Sequence, residues 1–286
     1  MDDSKSEYIL QTKDLHYIYP DGTQALRKLS ISFEKGKKIA IIGANGAGKT
    51  TLFLTLNGVY KPTGGQVFFD GQRISYSKKE LKDLRQKIGI VFQDSNSQLF
   101  SANVFQEVSF GPMNLGLPKE VVRERVNSAL EKANIIDLKN KPTHFLSGGQ
   151  KKRVAIADIL AMEPSVIFLD EPTAFVDPVT SNEIMDFFDE LNQEGVTIVL
   201  STHDMDRVYP WADYVYVMNE GSLIGEGPPG EVFMNSETLK KAGLHKPLIL
   251  EVYEEFIKHK PPSKDEQIPK SKQALFKFMT KELSRD

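Results

Sequence analysis

Residues 38–51 read KIAIIGANGAGKTT, and this stretch decides the fold. The continuous apolar run Ile39–Ile42 suits a strand buried on both faces, as in a parallel sheet covered by helices. The residues that follow, Gly43 to Thr50, fit G-x-x-x-x-G-K-[ST], and LFLTLNG after them can continue as a helix. Strand, glycine-rich loop and helix form the context the motif requires. In this reading Gly43, Asn45, Gly46, Ala47 and Gly48 carry backbone N–H groups around a phosphate chain, and the helix N-terminus adds a favourable dipole. Lys49 reaches the terminal phosphates, Thr50 offers a hydroxyl to Mg²⁺, and Thr51 completes the loop. The bland alternative is an ordinary glycine-rich turn, which the flanking strand and helix disfavour.

Working outward, three further runs read as buried strands: IGIVFQ (88–93), VIFLDE (166–171) and VTIVLSTHD (196–204). YVYVMNEG (214–221) adds a strand and a turn. Helical stripes lie between them. Val122, Val126, Ala129, Leu130 and Ala133 share one face, and Ile184, Phe187, Phe188 and Leu191 share another, with Gly195 as a stop. Strand–helix alternation predicts an α/β wound architecture. Residues 8–34 and 66–71 alternate and are rich in aromatic and β-branched types, so they read as strands outside that core. The mostly helical stretch from Asp94 to Leu146 reads as an insertion. Near residue 240 the character changes. Ile249, Val252, Tyr253 and Phe256 form one stripe; after the Pro-rich PPSKDEQIPK, Leu275, Phe278, Met279 and Leu283 form another. Two such short helices need a larger body, or another subunit, to cover them.

Composition narrows the function classes. The chain has 286 residues, a formal net charge of −3 and no cysteine. The charge disfavours a general nucleic-acid binder, and the lack of cysteine excludes disulfides and thiolate metal sites. MDDSKSEYIL has no signal-peptide pattern, and no apolar run approaches the roughly 20 residues of a membrane span. The expectation is a cytosolic protein whose membrane association runs through partners.

Polar residues cluster where the buried strands end. SVIFLDEPT closes on Asp170, able to hold Mg²⁺ through water, and Glu171, able to orient or deprotonate an attacking water. Gln93 and His203 end two other runs, and strand C-termini are where open α/β sheets bind ligands. FLSGGQKKR (145–153) is harder to explain: it opens a helix with two glycines and three cations, both locally unfavourable. Ser147 can cap that helix, but the cations read as a largely solvated face, leaving it frustrated until an anion approaches.

The ordered set GANGAGKT, Gln93, LSGGQ, VIFLDE, Asp177 and His203 resembles the ATP-binding cassette (ABC) ATPases over about residues 8–235. The resemblance implies a P-loop NTPase parallel sheet core with an antiparallel β subdomain, an inserted helical subdomain at about 94–162 within a nucleotide-binding domain of residues 1–240, and a C-terminal helical extension, 241–286, serving dimerisation. It implies ATP and Mg²⁺ as cofactors, with Thr50, Gln93 and Asp170 at the metal and Glu171 and His203 at the chemistry. Ser147, Gly148, Gly149, Gln150 and Asp177 would face nucleotide held by a second subunit. Tyr19 matches the family's adenine-stacking aromatic, with Tyr17 as competitor. VFQDSNSQLFSANVFQEVSFGPMNLGLP and LSGGQKKRVAIADILAMEP resemble more narrowly the ATPases of energy-coupling-factor importers of vitamins or cobalt and nickel ions. That resemblance implies a second ATPase, identical or paralogous, a transmembrane coupling protein and a substrate-capturing membrane protein, but no nucleic acid, and a place on the cytoplasmic face of the membrane. An exporter ATPase, a non-transport cassette protein and a soluble P-loop kinase are the alternatives.

Some positions depart from the pattern. Phe175 is bulky beside Asp177, and Ser95 and Ser97 replace the usual residues near Gln93. Asp158 interrupts an apolar helix stripe among Val154, Ala155, Ala161 and Met162. If buried, it needs an outside partner or a raised pKa.

Overall fold

The structure is a computed structural model, and it describes residues 6–94, 98–174, 176–261 and 267–284. Ser95, Ser97 and Phe175, singled out above, lie outside the described residues. Strands β1 (Tyr8–Ile18), β2 (Gln24–Leu29), β3 (Ser32–Glu34) and β4 (Lys38–Ile42) lead into helix α1 (Lys49–Leu56). Strands β5 (Gly64–Phe69) and β6 (Gln72–Arg73), helix α2 (Lys78–Lys87) and strand β7 (Ile88–Val91) follow. Next come helices α3 (Val104–Asn114), α4 (Lys119–Lys132) and α5 (Gly148–Leu160), then β8 (Val166–Asp170), α6 (Pro178–Gln193), β9 (Thr197–Ser201) and α7 (Met205–Trp211). Strands β10 (Tyr214–Asn219) and β11 (Ser222–Gly227) precede α8 (Pro229–Met234), α9 (Ser236–Lys241), α10 (Leu248–His259) and α11 (Lys272–Leu283).

Six strands form one sheet in the order β11-β10-β4-β9-β8-β7. The pairs from β10 through β7 are all parallel, and only β11 runs antiparallel. Every residue of β8 and β9 is buried, as expected of strands covered on both faces. Parallel pairing brings the C-termini of β4, β7, β8 and β9 to one edge, where the polar residues cluster. A second sheet is antiparallel around β1, which pairs with β2, β3 and β5, while β6 pairs with β5. It packs on the first: Leu10, Leu15, Leu26 and Phe33 share a cluster with Ile39, Ile41, Phe53 and Phe168. Phe53 stacks on Phe168 at 4.6 Å between ring centroids, seating α1 on β8.

Helices α3, α4 and α5 enclose a separate apolar cluster of Val104, Val108, Val126, Leu130, Val154 and Ala157. The inserted helices therefore carry their own core. The C-terminal helices dock on the main body. Leu250 is buried in the large-sheet core, and Tyr253, Leu275 and Phe278 make a small cluster of their own, with Ile249 and Ile268 packed against both. The predicted stripes are only partly covered, since Val252 and Leu283 are exposed.

Two boundaries differ from expectation. Strand β7 ends at Val91 and β9 at Ser201, so Gln93 and His203 lie two residues beyond strand ends rather than on them. Helix α6 starts at Pro178, earlier than the apolar stripe indicates, because Asp177 caps it and Pro at the first turn needs no N–H partner.

Candidate nucleotide site

The phosphate loop is built by exclusion of side chains. Gly48 is the N-cap of α1, with φ +98°, and a Cβ there would lie 2.5 Å from the Ala25 carbonyl oxygen. At Gly43 a Cβ would lie 2.3 Å from the Met218 carbonyl oxygen. Glycine is thus the residue these positions admit. No side chain caps α1. Its first-turn N–H groups have no partner inside the helix, which makes this terminus a receptor for anions. Lys49 is buried, and its Nζ donates to the loop carbonyls of Gly43 at 2.7 Å and Ala44 at 3.1 Å. Burial pushes its pKa down, against the pull of the nearby Glu171 and Asp170 carboxylates.

The other groups converge on this loop from the sheet edge. Thr50 Oγ1 donates to Asp170 Oδ2 at 2.6 Å. A hydroxyl beside a carboxylate is a hard oxygen pair of the kind Mg²⁺ takes when phosphates and water fill its remaining positions, so the residues fit that ion. Asp170 pairs in register with Ser201, and the Glu171 N–H donates to the Ser201 carbonyl at 2.9 Å. The chain then turns sharply at Glu171, in the left-handed region at φ +48°. That turn points the carboxylate at the end of β9. Its Oε1 lies 2.7 Å from His203 Nδ1, and its Oε2 accepts from Thr202 Oγ1 at 3.1 Å. Thr202 was not among the sequence candidates. The available signal was a hydroxyl directly before the strand-end histidine, opposite an acidic strand end.

Tyr19 follows β1, and its hydroxyl lies 2.9 Å from Thr51 Oγ1, at the start of α1. Tyr17 instead stacks flat on Tyr60 at 4.9 Å. Between the two competitors, Tyr19 is the one bound to the phosphate-loop helix.

Ser147, Gly148, Gly149 and Gln150 stand apart from this cluster. Ser147 Oγ accepts from the Gln150 N–H, and Gln150 Oε1 accepts from the Ser147 N–H, a complete capping box. Lys141 Nζ donates to the same Gln150 oxygen at 3.5 Å. A Cβ on Gly148 would meet open space, and one on Gly149 only the Thr180 methyl at 3.5 Å. Asp177 is likewise occupied locally: it caps α6 through Val179 and Thr180, and the hydrogen bonds from Thr180 lower its pKa.

The cations after Gln150 do not form a solvated face. Lys152 is buried, and its Nζ donates to the carbonyls of Phe92 at 2.8 Å and Gln93 at 2.9 Å. Arg153 pairs with Glu183 and donates to the Ala133 carbonyl. Two of the three cations are thus held by groups inside the chain, and burial pushes the Lys152 pKa down to about 8 against the pull of Asp94 and Asp170. Asp158 is the reverse case. It lines a cleft of about 270 Å³ with Phe92, Gln98, Phe110 and Met162. Burial, together with the Glu107 charge, pushes its pKa up to about 7.

Comparison with known proteins agrees with this geometry. The ABC transporter family matches residues 26–174. An ABC transporter ATP-binding protein of Methanosarcina mazei is 53% identical over 86% of this chain, which spans only 54%, about half, of that longer protein. The energy-coupling factor transporter ATP-binding protein EcfA of Methanocaldococcus jannaschii is 51% identical, over 86% of this chain and 88% of its own length. Among solved structures, cbiO1 of Clostridium perfringens, described as part of the ABC transporter complex cbiONQ, is 49% identical with a TM-score of 0.74. It matches 87% of this chain and 100% of its own. An uncapped phosphate-loop helix, an Asp-Glu strand end facing it and this degree of likeness lead to one conclusion: the chain belongs to the ABC transporter ATPases, as an ATP-binding and ATP-hydrolysing subunit of the energy-coupling-factor importer type.

Proposed function

We propose that two subunits of this kind clamp ATP between the phosphate loop of one and the Ser147–Gln150 helix tip of the other, and that this closure drives uptake of a vitamin or a cobalt or nickel ion. The observation that carries the reading is a division of labour. Lys49, Thr50, Asp170, Glu171 and His203 meet at one sheet edge, whereas Ser147 is engaged by its own helix cap with Gln150 and Gly148 faces open space.

Each residue then has a role. The loop from Gly43 to Thr51, including Asn45, Gly46 and Ala47, wraps the phosphates, Lys49 turns from its own carbonyls to the terminal phosphates, and Tyr19 stacks on adenine. Thr50, Asp170 and Gln93 would hold Mg²⁺, which supplies charge neutralisation at the phosphates. Glu171 orients and deprotonates the attacking water, steadied by Thr202, and His203 donates to the γ-phosphate. Positioning and charge stabilisation supply most of the rate. Ser147 keeps its cap while binding: its oxygen accepts from Gln150, and its hydrogen remains able to donate to a phosphate oxygen. Gly148, Gly149, Gln150 and Asp177 complete the partner-facing wall.

The domain boundary near residue 240 and a dimerising role for α10 and α11 belong to the same reading, as do a transmembrane coupling protein docked near residues 94–115 and a separate substrate-capturing membrane protein. Among the described residues no helix is long and apolar enough to cross a membrane; in this reading attachment to the cytoplasmic face runs through those partners. Glu171→Gln tests the reading. Nucleotide affinity stays within about twofold, hydrolysis falls at least about 100-fold, and ATP traps a dimer on size exclusion. Unchanged turnover removes Glu171 from its role.

A further inference from the structure

Lys152 is the buried ammonium that the roles above leave unused. It is 2% exposed, on the second turn of α5, and its Nζ holds two successive carbonyls, Phe92 at 2.8 Å and Gln93 at 2.9 Å. A single carbonyl contact would restrain one atom. Two contacts on consecutive residues restrain the two peptide planes that flank the Gln93 Cα, and with them the direction in which the Gln93 side chain leaves the backbone. The same segment is tied from the other side: Gln98 Oε1 accepts the Phe92 N–H at 3.3 Å, and Gln98 Nε2 donates to the Ile90 carbonyl at 3.2 Å. Lys152 also sits within the field of Asp94 and Asp170, the latter bonded to Thr50. A space-filling side chain at this position needs no charge, and burying an ammonium is worthwhile only where it is fully paired.

Along the helix, Ser147 and Lys152 are five residues apart, roughly 7–8 Å of axial rise. The tip that meets the partner's nucleotide and the grip on Gln93 therefore lie on one rigid turn and a half.

We propose that Lys152 is a positioning residue for ATP hydrolysis: it couples the Ser147–Gln150 tip to the backbone of Gln93, so that engagement of the tip by one nucleotide sets Gln93 against the nucleotide in its own subunit. This rests on the paired-subunit reading of the site, and the test separates the two. In the full chain, Lys152→Met keeps length and bulk but removes all donors, while Lys152→Arg keeps charge and donors. The expected result for Lys152→Met is a fall of about tenfold or more in kcat with KM and the affinity for a fluorescent ATP analogue within about twofold. Lys152→Arg recovers more than half of the lost rate. In the Glu171→Gln background, Lys152→Met still forms the ATP-trapped dimer, because the tip itself is intact.

An unchanged kcat in Lys152→Met overturns the proposal. So does loss of the trapped dimer, which places Lys152 in the interface rather than behind Gln93, and so does a failure of Arg to restore rate. If Met lowers Tm by more than about 10 °C, a multi-kcal/mol loss in a chain of this size, Lys152→Gln, which keeps two donors at a shorter reach, takes its place in the same comparison. Absence of a dimer in Glu171→Gln alone defeats the paired-subunit reading and not this one specifically.

Discussion

The two helix N-termini proposed to meet phosphate are built in different ways. Helix α1 starts at a left-handed glycine with no side-chain cap, so its N–H groups are left for a ligand. Helix α5 starts at Ser147 with a full capping box, so the N–H groups of Ser147 and Gln150 are already satisfied within the helix. The first terminus is a receptor whose affinity comes from backbone. The second is half closed by its own cap, which leaves the Ser147 hydroxyl hydrogen and an open approach over Gly148. On the function proposed above, one would bind nucleotide within its own subunit, and the other would recognise nucleotide that a second subunit holds. The contrast explains why the glycines of the two regions are not equivalent. Gly48 is demanded by a carbonyl 2.5 Å from where a Cβ would be, whereas Gly148 faces open space.

Substitution at the two termini breaks this comparison most directly. Gly48→Val is the largest effect. Its Cβ collides with backbone, at a φ that valine rarely adopts. Analogue binding falls at least about 100-fold, close to the loss of the whole phosphate subsite, about 3 kcal/mol or more. Fluorescence titration measures it, and binding within a few-fold of the parent chain refutes the receptor role of α1. Next comes Ser147→Arg. Bulk at the second terminus leaves analogue binding to one subunit within about twofold but lowers steady-state hydrolysis at least about 50-fold, a loss of about 2.3 kcal/mol in transition-state terms. If binding fails first, the two termini serve the same nucleotide and the contrast is wrong.

How legible this was in the sequence depends on the range of the interactions. Strands β4, β8 and β9 are continuous apolar runs, and the phosphate loop follows one of them, so local pattern suffices. The capping residue Ser147 was visible for the same reason. Helix α2 was not foreseen because Leu84 is its one buried residue, which leaves no apolar stripe to read. Lys152 was misread for a different reason. Its partners lie 59 and 60 residues earlier, on a loop whose path depends on where β7 packs. Nothing in KKR distinguishes a cation pointing at solvent from one pointing at carbonyls. Thr202 was missed because its role exists only once Glu171 turns through φ +48° toward β9.

Asp158 sharpens the comparison with the smallest expected effect, because it shows where α5 does carry a cost. Near the helix N-terminus Lys152 and Arg153 hold partners inside the chain, whereas Asp158, about a turn and a half beyond Arg153, is pushed up to a pKa of about 7 by burial and by Glu107. The sign follows from linkage. The folded pKa lies above the ordinary aspartate value of 3.8, so the unfolded chain gives up the proton first, and stability contributed by the protonated form is lost as pH rises from about 4 to 7. Above pH 7 the penalty is complete and level. Asp158→Asn removes the titration while keeping the shape. Its stabilising effect relative to the parent chain is therefore larger at pH 8 than at pH 5. Full linkage gives a difference of about 2–3 kcal/mol, and partial solvation of the cleft reduces it to about 1–2 kcal/mol. Urea unfolding of both chains at the two pH values measures the difference. An equal gain at pH 5 and pH 8 means that Asp158 is solvated as an ordinary carboxylate, and that α5 carries no unmatched charge at either end.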